Sequence, residues 1–108
     1  MAPEAVLVEA CVTSVEEARE ARRLGAHRLE LCVDLEVGGL TPPPGLLASV
    51  VEAAEIPVFG MVRNRPGDFR YTEAEGDGMT ESALRLIREG AEGLVWGCLD
   101  QDGMPDVP

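Results

Sequence analysis

Two short segments of the chain each carry a carboxylate and a thiol at the same spacing. Glu9 and Cys11 stand two residues apart, as do Glu30 and Cys32. Residues two apart in a β-strand project from the same face, so each segment would present an acid and a sulfur together. If the two segments are neighbouring strands, the carboxylates could transfer protons and the thiols could bind a soft metal ion.

The two carboxylates need partners if that face is buried, because an isolated charge is costly in a protein interior. The available cations are Arg28, Arg63 and Arg65, and we expect Arg63 to be the main partner while Arg28 points away. Two interpretations stay open. The charges form an ion-pair network that only fixes strand register, or Glu9 and Glu30 are catalytic acid–base groups.

The thiols also allow two interpretations. Cys11 and Cys32 could give two thiolates to Cu(I), which selects sulfur over oxygen ligands. A buried free cysteine is more commonly a small apolar side chain of the core, and the sequence has no Cys-x-x-Cys pair. The third cysteine, Cys98, is expected to pack in the core. An odd number of cysteines favours free thiols in a reducing compartment.

A second candidate site is the polar segment RNRPGDFRY, at residues 63–71. Its candidate ligand-binding groups are Arg63, Arg65, Asp68 and Tyr71. Forked guanidinium donors bind phosphate or carboxylate at two points, and the backbone N–H groups of Gly38 and Gly39 could assist. The segment therefore predicts a site for a small anion. The alternative is that these arginines only neutralise nearby acidic side chains.

Composition restricts the class of protein. The chain has 108 residues, of which 20 are acidic and nine are basic, all of them arginine, for a net charge of −11. Nucleic acid and anionic membranes would repel so acidic a protein. No apolar run approaches the ~20 residues needed to cross a bilayer. We expect one soluble, cytoplasmic domain covering residues 1–108, with neither nucleic acid nor membrane as a partner.

Apolar runs and amphipathic segments alternate along the chain. Strands are predicted at residues 5–12, 27–33, 56–62 and 93–99. Helices are predicted from Ser14 to Gly25, over residues 45–54, and from Thr72 to Gly90. Ser14 with Glu17, and Thr72 with Glu75, have the spacing of capping boxes. The order βαβαβαβ, with buried strands, predicts an α/β fold with a parallel sheet. Functional groups would then lie at the C-terminal ends of the strands.

The segments that carry these residues occur together in a known protein family. They are EACVTS from Glu9, GAHRLELC from Gly25, GGLTP from Gly38, MVRNRPGDFRYT from Met61 and GLVWGCLDQDG from Gly93. In this order the segments resemble the opening half of the CutC copper-homeostasis family. The family typically has proline where this chain has Asn64, so we expect a looser loop here.

The resemblance implies a cytoplasmic parallel (β/α)8 TIM barrel, a connection to copper tolerance and, as in some members of the family, Cu(I) held by Cys11 and Cys32. It leaves enzymatic activity undecided. It also adds Arg28 and Thr41 to the candidate ligand-binding positions. A full barrel needs ~200 residues or more, so four strands and three helices would form about half of one.

Half a barrel leaves sheet edges and an apolar interior open. We therefore expect either a homo-oligomer or association with a missing half-barrel. The leading functional hypothesis is copper homeostasis with copper, as Cu(I), bound by the chain. The first alternative is a TIM-barrel enzyme acting on a small anionic or phosphorylated metabolite. The second alternative is a truncated, non-functional remnant.

Overall fold

The structure, a computed structural model, describes residues 6–106. Its elements are β1 Glu9–Val12, α1 Val15–Arg23, β2 Arg28–Leu31, α2 Leu46–Ala54, β3 Val58–Val62, α3 Glu73–Arg88 and β4 Gly93–Trp96. The four strands form one sheet in the order β1-β2-β3-β4, and every neighbouring pair is parallel. The predicted α/β architecture is confirmed. A 3-10 turn at Leu35–Val37 is an element that the apolar pattern does not predict.

The strands are shorter than the apolar runs that predicted them. The first predicted strand begins at residue 5, which lies outside the described residues, whereas β1 begins at Glu9. Val33 leaves the sheet to form an antiparallel bridge with Leu40. Leu99 donates its backbone N–H to the carbonyl of Phe69. The last apolar residues of the predicted strands therefore form hydrogen bonds with loop residues instead of extending the sheet.

Side-chain caps fix the starts of α1 and α3. The Ser14 hydroxyl accepts the N–H of Glu17 at 3.1 Å, but the Glu17 carboxylate accepts the N–H of Thr13 at 2.7 Å. The predicted capping box at α1 is therefore only half formed. Thr72 and Glu75 accept each other's backbone N–H groups, so the predicted box at α3 is complete.

The start of α2 is capped by a distant side chain. Oε1 of Glu89, just beyond α3, accepts the N–H groups of Gly45 at 3.1 Å and Ala48 at 3.3 Å. Arg85 donates to the Glu89 carboxylate at 2.8 Å and to the Pro42 carbonyl at 2.6 Å. Burial alone would raise the pKa of Glu89, but these hydrogen bonds hold it below its ordinary value. The contacts join α2 to the end of α3.

The sheet has one covered face and one open face. The covered face and its helices bury Val12, Leu29, Leu31, Val58, Val62, Leu47, Val50, Met79 and Leu86. Gly60 also lies here, where a Cβ would come within 2.9 Å of Leu47 and 3.0 Å of Leu86. A side chain at position 60 would therefore push the ends of the Leu47 and Leu86 side chains away from β3. The open face carries Glu9, Cys11, Arg28, Glu30, Phe59 and Met61.

Strands β1 and β4 form the two edges of the sheet. Large apolar side chains are exposed beside both edges, including Leu7 at 70% and Trp96 at 41%. Consecutive parallel strands with amphipathic helices between them are the repeating unit of a (β/α)8 barrel. Within residues 6–106, no helix has the length and apolar character needed to cross a membrane.

Candidate functional site

Two thiols lie next to each other on the open face. The Sγ atoms of Cys11, on β1, and Cys32, directly after β2, are 3.7 Å apart. Cys32 is fully buried, whereas Cys11 is exposed. They are close because β1 and β2 are neighbours and their register places Cys11 opposite Glu30, two residues before Cys32. The two thiols converge, as their spacing predicts.

The surroundings of Cys32 keep it protonated. Burial, the hydrogen bond with Cys11, and the charges of Cys11, Glu30 and Glu17 raise the pKa of Cys32 to about 12. A protonated thiol is a poor nucleophile. The site is therefore not arranged for nucleophilic catalysis by Cys32, and a bound metal ion would have to replace the proton.

The carboxylate of Glu9 forms an ion pair with Arg28. These are the first residues of β1 and β2 and face each other in the register. Arg28 Nε donates to Glu9 Oε2 at 2.6 Å. The expectation that Arg63 is the partner is therefore wrong, as is the expectation that Arg28 points away. Arg28 and Glu30 are two residues apart, so they share a face.

Glu30 completes an ionic cluster with this pair. Burial raises the pKa of Glu30, and the hydrogen bond and negative charge of Glu9 raise it further, whereas Arg28 lowers it. The Arg28 guanidinium lies 4.5 Å from the centre of the Phe59 ring. That ring occupies the space where a side chain at Gly93 would project. The cluster therefore packs tightly across the sheet.

The position of the ionic cluster corrects a further expectation. We expected all the functional groups at the C-terminal ends of the strands, but Glu9 and Arg28 lie at the N-terminal ends. In barrels, residues at this end contribute to stability, and chemistry takes place at the other end. The position favours the ion-pair interpretation of Glu9 over a catalytic role.

A glycine turn covers the buried thiol. Gly38 and Gly39 both have positive φ angles, +94° and +96°. A Cβ on Gly39 would lie 3.1 Å from Cys32 Sγ and 3.0 Å from Met61 Sδ. Met61 therefore brings a third sulfur to the side of Cys32 that the glycine turn covers. Met61 was not among the residues expected in the site, although strand alternation with Phe59 places it on the open face.

Arg63 binds the backbone of two loops. Its Nη1 donates to the carbonyls of Val37 at 2.6 Å and Gly39 at 3.1 Å, and its Nη2 donates to the carbonyl of Gly67 at 3.1 Å. The guanidinium carbon also lies 5.3 Å from the centre of the Phe69 ring. Arg63 therefore holds the glycine turn in place.

The donors of Arg65 are also occupied by protein atoms. Arg65 binds the carboxylates of Glu75 and Asp68, donates to the Arg70 carbonyl at 2.7 Å, and stacks at 4.5 Å on the Tyr71 ring. The hydrogen bond from Arg65 is the main reason that the pKa of Glu75 falls to about 2. The structure therefore does not favour the anion site expected from Arg63 and Arg65.

Thr41 and Asn64 tie the loop after β3 to its surroundings. The Thr41 hydroxyl accepts the backbone N–H of Arg63 at 2.8 Å and donates to Asn64 Oδ1 at 2.6 Å. Asn64 Nδ2 donates to the Ser82 hydroxyl at 3.1 Å. The amide of Asn64 therefore joins the loop to α3, which counters the loosening expected at this position.

Few donors remain for an anion. The N–H groups of Gly38 and Gly39 donate to the carbonyls of residues 35 and 34, so they are not available as an anion-binding nest. Within residues 6–106, the buried Arg63 Nε and Tyr71 hydroxyl have no hydrogen-bond partner. Burial raises the pKa of Tyr71, partly offset by the charges of the two neighbouring arginines.

Other metal ligands are scarce around the thiols. Across the described residues, no group of three or more His, Cys, Asp or Glu side chains is placed to hold a metal ion. His27 accepts the backbone N–H of Val8 at Nδ1, at 2.8 Å, which fits a structural role. Cys98 packs against the core, as expected. The metal-binding candidates are thus the two neighbouring thiols, with a thioether beside them.

Known proteins share this sequence and fold. The model of the CutC family matches residues 6–108. The family protein CutC of Klebsiella pneumoniae (strain 342) is 50% identical over 103 residues, covering 94% of this chain and 41% of that protein. The copper homeostasis protein cutC homolog of Homo sapiens is 48% identical over 101 residues, covering 93% of this chain and 37% of that protein.

A crystal structure of CutC from Streptococcus agalactiae has the same arrangement of elements. It aligns with a TM-score of 0.82 and 31% identity, covering 91% of this chain and 48% of that one. The chain spans about two fifths of the length of the curated relatives described above. Because the family model matches nearly the whole sequence, and the structural match agrees, the chain belongs to the CutC family.

Proposed function

We propose that this chain takes part in copper homeostasis by binding Cu(I) through Cys11 and Cys32. The observation that carries the proposal is the 3.7 Å separation of their Sγ atoms. Cu(I) is a soft ion that prefers thiolate and thioether ligands. The human relative is named a copper homeostasis protein, which supports the same function.

The chemistry of the donors fits a soft ion better than a hard one. Hard ions such as Ca²⁺ and Mg²⁺ require about six or more oxygen ligands, many of them from carboxylates or water. Cys11, Cys32 and Met61 offer sulfur instead, and Gly39 packs against two of these sulfurs. The site would hold copper as cargo, shielded on one side by the glycine turn.

An anaerobic titration with Cu(I), in competition with a chromogenic Cu(I) chelator, tests this function. We expect one Cu(I) per chain for the wild type and loss of binding in the Cys11→Ser/Cys32→Ser double variant. Cys98→Ser is the matched control, because it removes the third thiol from a position in the core. If the double variant binds Cu(I) as tightly as the wild type, the proposal is wrong.

An enzyme that acts on a small anionic metabolite has less support. Most donors of Arg63 and Arg65 bind protein atoms, and Glu9 is paired with Arg28. Arg63 Nε and the Tyr71 hydroxyl are the buried donors left without a partner in the described part of the chain. A ligand that binds the folded state raises the melting temperature. Stabilisation by phosphate that disappears in Tyr71→Phe would favour the enzyme.

We also propose that further β/α units cover the open face in the working protein, from a second half-barrel or a second copy of the chain. The unpaired edges of β1 and β4 support this, as do the exposed Leu7 and Trp96. Analytical ultracentrifugation of the purified chain is expected to show association. A stable monomer at high concentration would contradict self-association.

We further propose a cytoplasmic location, because all three cysteines are free thiols, as is usual in a reducing compartment. A non-functional remnant, folded or not, would bind no Cu(I), and little cooperative unfolding would support this alternative. Calorimetry and the Cu(I) titration together decide between a working protein and such a remnant.

A further inference from the structure

Building on the proposed Cu(I) function, we propose that the thioether of Met61 is a third sulfur ligand beside Cys11 and Cys32. Met61 lies on β3, one strand beyond the strand that leads to Cys32. The site would then draw its ligands from three neighbouring strands instead of two.

Strand register places Met61 beside the buried thiol. Alternate residues of β3 are buried against the helices, which leaves Met61 on the open face with the thiols. The register pairs Leu31 with Gly60. The residues that follow, Cys32 and Met61, therefore stand side by side on that face.

Gly39 lies against both sulfurs. Cys32 Sγ and Met61 Sδ both lie about 3 Å from the point that a Cβ at Gly39 would occupy. Arg63 holds this part of the turn by donating to the Gly39 carbonyl at 3.1 Å. The turn thus covers the thiol and the thioether together and leaves no room for a larger residue over them.

The spacing of the two thiols leaves one side of an ion open. Two sulfurs on opposite sides of a metal ion stand ~4.6 Å apart, given a metal–thiolate bond of about 2.3 Å. The sulfurs of Cys11 and Cys32 are 3.7 Å apart, which suits a bent arrangement. Cu(I) accepts thioether as well as thiolate ligands, and the unbranched Met61 side chain can adjust its torsions to reach it.

Other side chains do not compete for this role. Within residues 6–106, no set of three or more His, Cys, Asp or Glu side chains could surround an ion. Cys98 packs against the core, and the Nδ1 atom of His27 is occupied by the backbone of Val8. Met61 is the further soft ligand, and it lies beside Cys32.

Copper-edge X-ray absorption on selenomethionine-labelled, Cu(I)-loaded protein tests the third ligand directly. We expect copper–selenium scattering in the labelled wild type and its loss in Met61→Leu. Met79→Leu is the matched control, because Met79 is a buried methionine on the covered side of the sheet. Its replacement should leave the copper–selenium signal intact. We also expect Met61→Leu to bind one Cu(I) about tenfold or more weakly.

The outcomes separate the two proposals. Cu(I) bound to the labelled wild type without a selenium neighbour, or a selenium signal that persists in Met61→Leu, overturns the third ligand and leaves the two-thiol site standing. A wild type that binds no Cu(I), or a Cys11→Ser/Cys32→Ser variant that binds it fully, overturns the proposed function and the third ligand with it. The measurement on the wild type needs no variant to fold.

Discussion

Arg28 Nε lies 2.6 Å from Glu9 Oε2 at the start of the sheet, and the thiols of Cys11 and Cys32 meet farther along the same face. The Glu9–Arg28 pair thus lies at one end of the open face and the two thiols lie at the other end, with Glu30 between them, opposite Cys11 in the register. The Glu9–Arg28 pair can therefore be removed without replacing a residue that touches either thiol.

The Glu9–Arg28 ion pair is expected to affect the stability of the fold and not the binding of Cu(I). Because the side chains of Glu9 and Arg28 are 31% and 43% exposed, we expect a coupling free energy of about 0.5–1 kcal/mol. A double-mutant cycle of Glu9→Gln and Arg28→Gln in urea unfolding measures it. The more exposed pair of Arg22 and Glu55 is the control and should give a coupling near zero. Weaker Cu(I) binding in Arg28→Gln would contradict this expectation.

The glycine turn is expected to control access to the sulfurs. In Gly39→Ala the new methyl group would press on Cys32 and Met61, so Cu(I) affinity should fall. Gly38→Ala has nearly the same positive φ, but its methyl group meets Arg63 Nη1 at 3.1 Å and no sulfur. Both variants therefore carry similar backbone strain. Equal losses of Cu(I) affinity in the titration would show that distortion of the turn, through backbone strain or a displaced Arg63, is responsible and not crowding of the sulfurs.

Packing across the open face depends on Gly93. A Cβ there would lie 2.6 Å from a carbon of the Phe59 ring, so Gly93→Ala should force the ring to move away from Arg28. We expect a loss of about 1–3 kcal/mol in the free energy of unfolding, as in other overpacked sites. Gly97→Ala is the control, since within residues 6–106 its added Cβ would have no atom within 4 Å apart from those of residue 97 and its chain neighbours. Comparable losses for both variants in urea would argue against overpacking.

The start of α3 should become less stable in acid. Arg65 and the Thr72 backbone hold the pKa of Glu75 at about 2, below the ~4.3 of an unfolded chain. The ionised carboxylate therefore favours the folded state above pH ~4.5, and this contribution is lost as the pH falls toward ~2.

Melting curves of a Glu75→Gln variant measure this contribution. We expect its melting temperature to lie below that of the wild type at pH 6. The difference between the two melting temperatures should shrink as the pH falls toward the lowered pKa of Glu75. Glu73→Gln, an exposed change in the same helical turn, is the control and should behave like the wild type. A difference that does not change with pH would mean that the charge of Glu75 has no such role.

Local patterns carry enough information to predict the fold. Apolar runs alternate with segments that begin at Ser14 and Thr72, and both hydroxyls do cap helices. The ends of the strands are different, because Val33 and Leu99 are as apolar as their neighbours but bind loops. Whether an apolar residue continues the sheet depends on a distant partner, which hydropathy does not show.

The candidate site can be predicted only where it depends on the alternation of side chains along a strand. The convergence of Cys11 and Cys32 follows from spacing within two strands, and the same rule places Arg28 with Glu30 and Met61 on the open face. The partners of Arg63 could not be found in this way. They are main-chain carbonyls of a loop 24 and 26 residues earlier, whose position depends on a turn with two positive φ angles.

Arg63 links the loop after β2 to the loop after β3, because its guanidinium binds the carbonyls of Val37, Gly39 and Gly67 at once. Neither loop can shift far without breaking hydrogen bonds to the other, so both are expected to become ordered in the same folding event. A lysine would not replace this junction, since its compact ammonium group lacks the planar fork of a guanidinium. The glycine turn that covers the sulfurs and the loop after β3 therefore become ordered, or come apart, together.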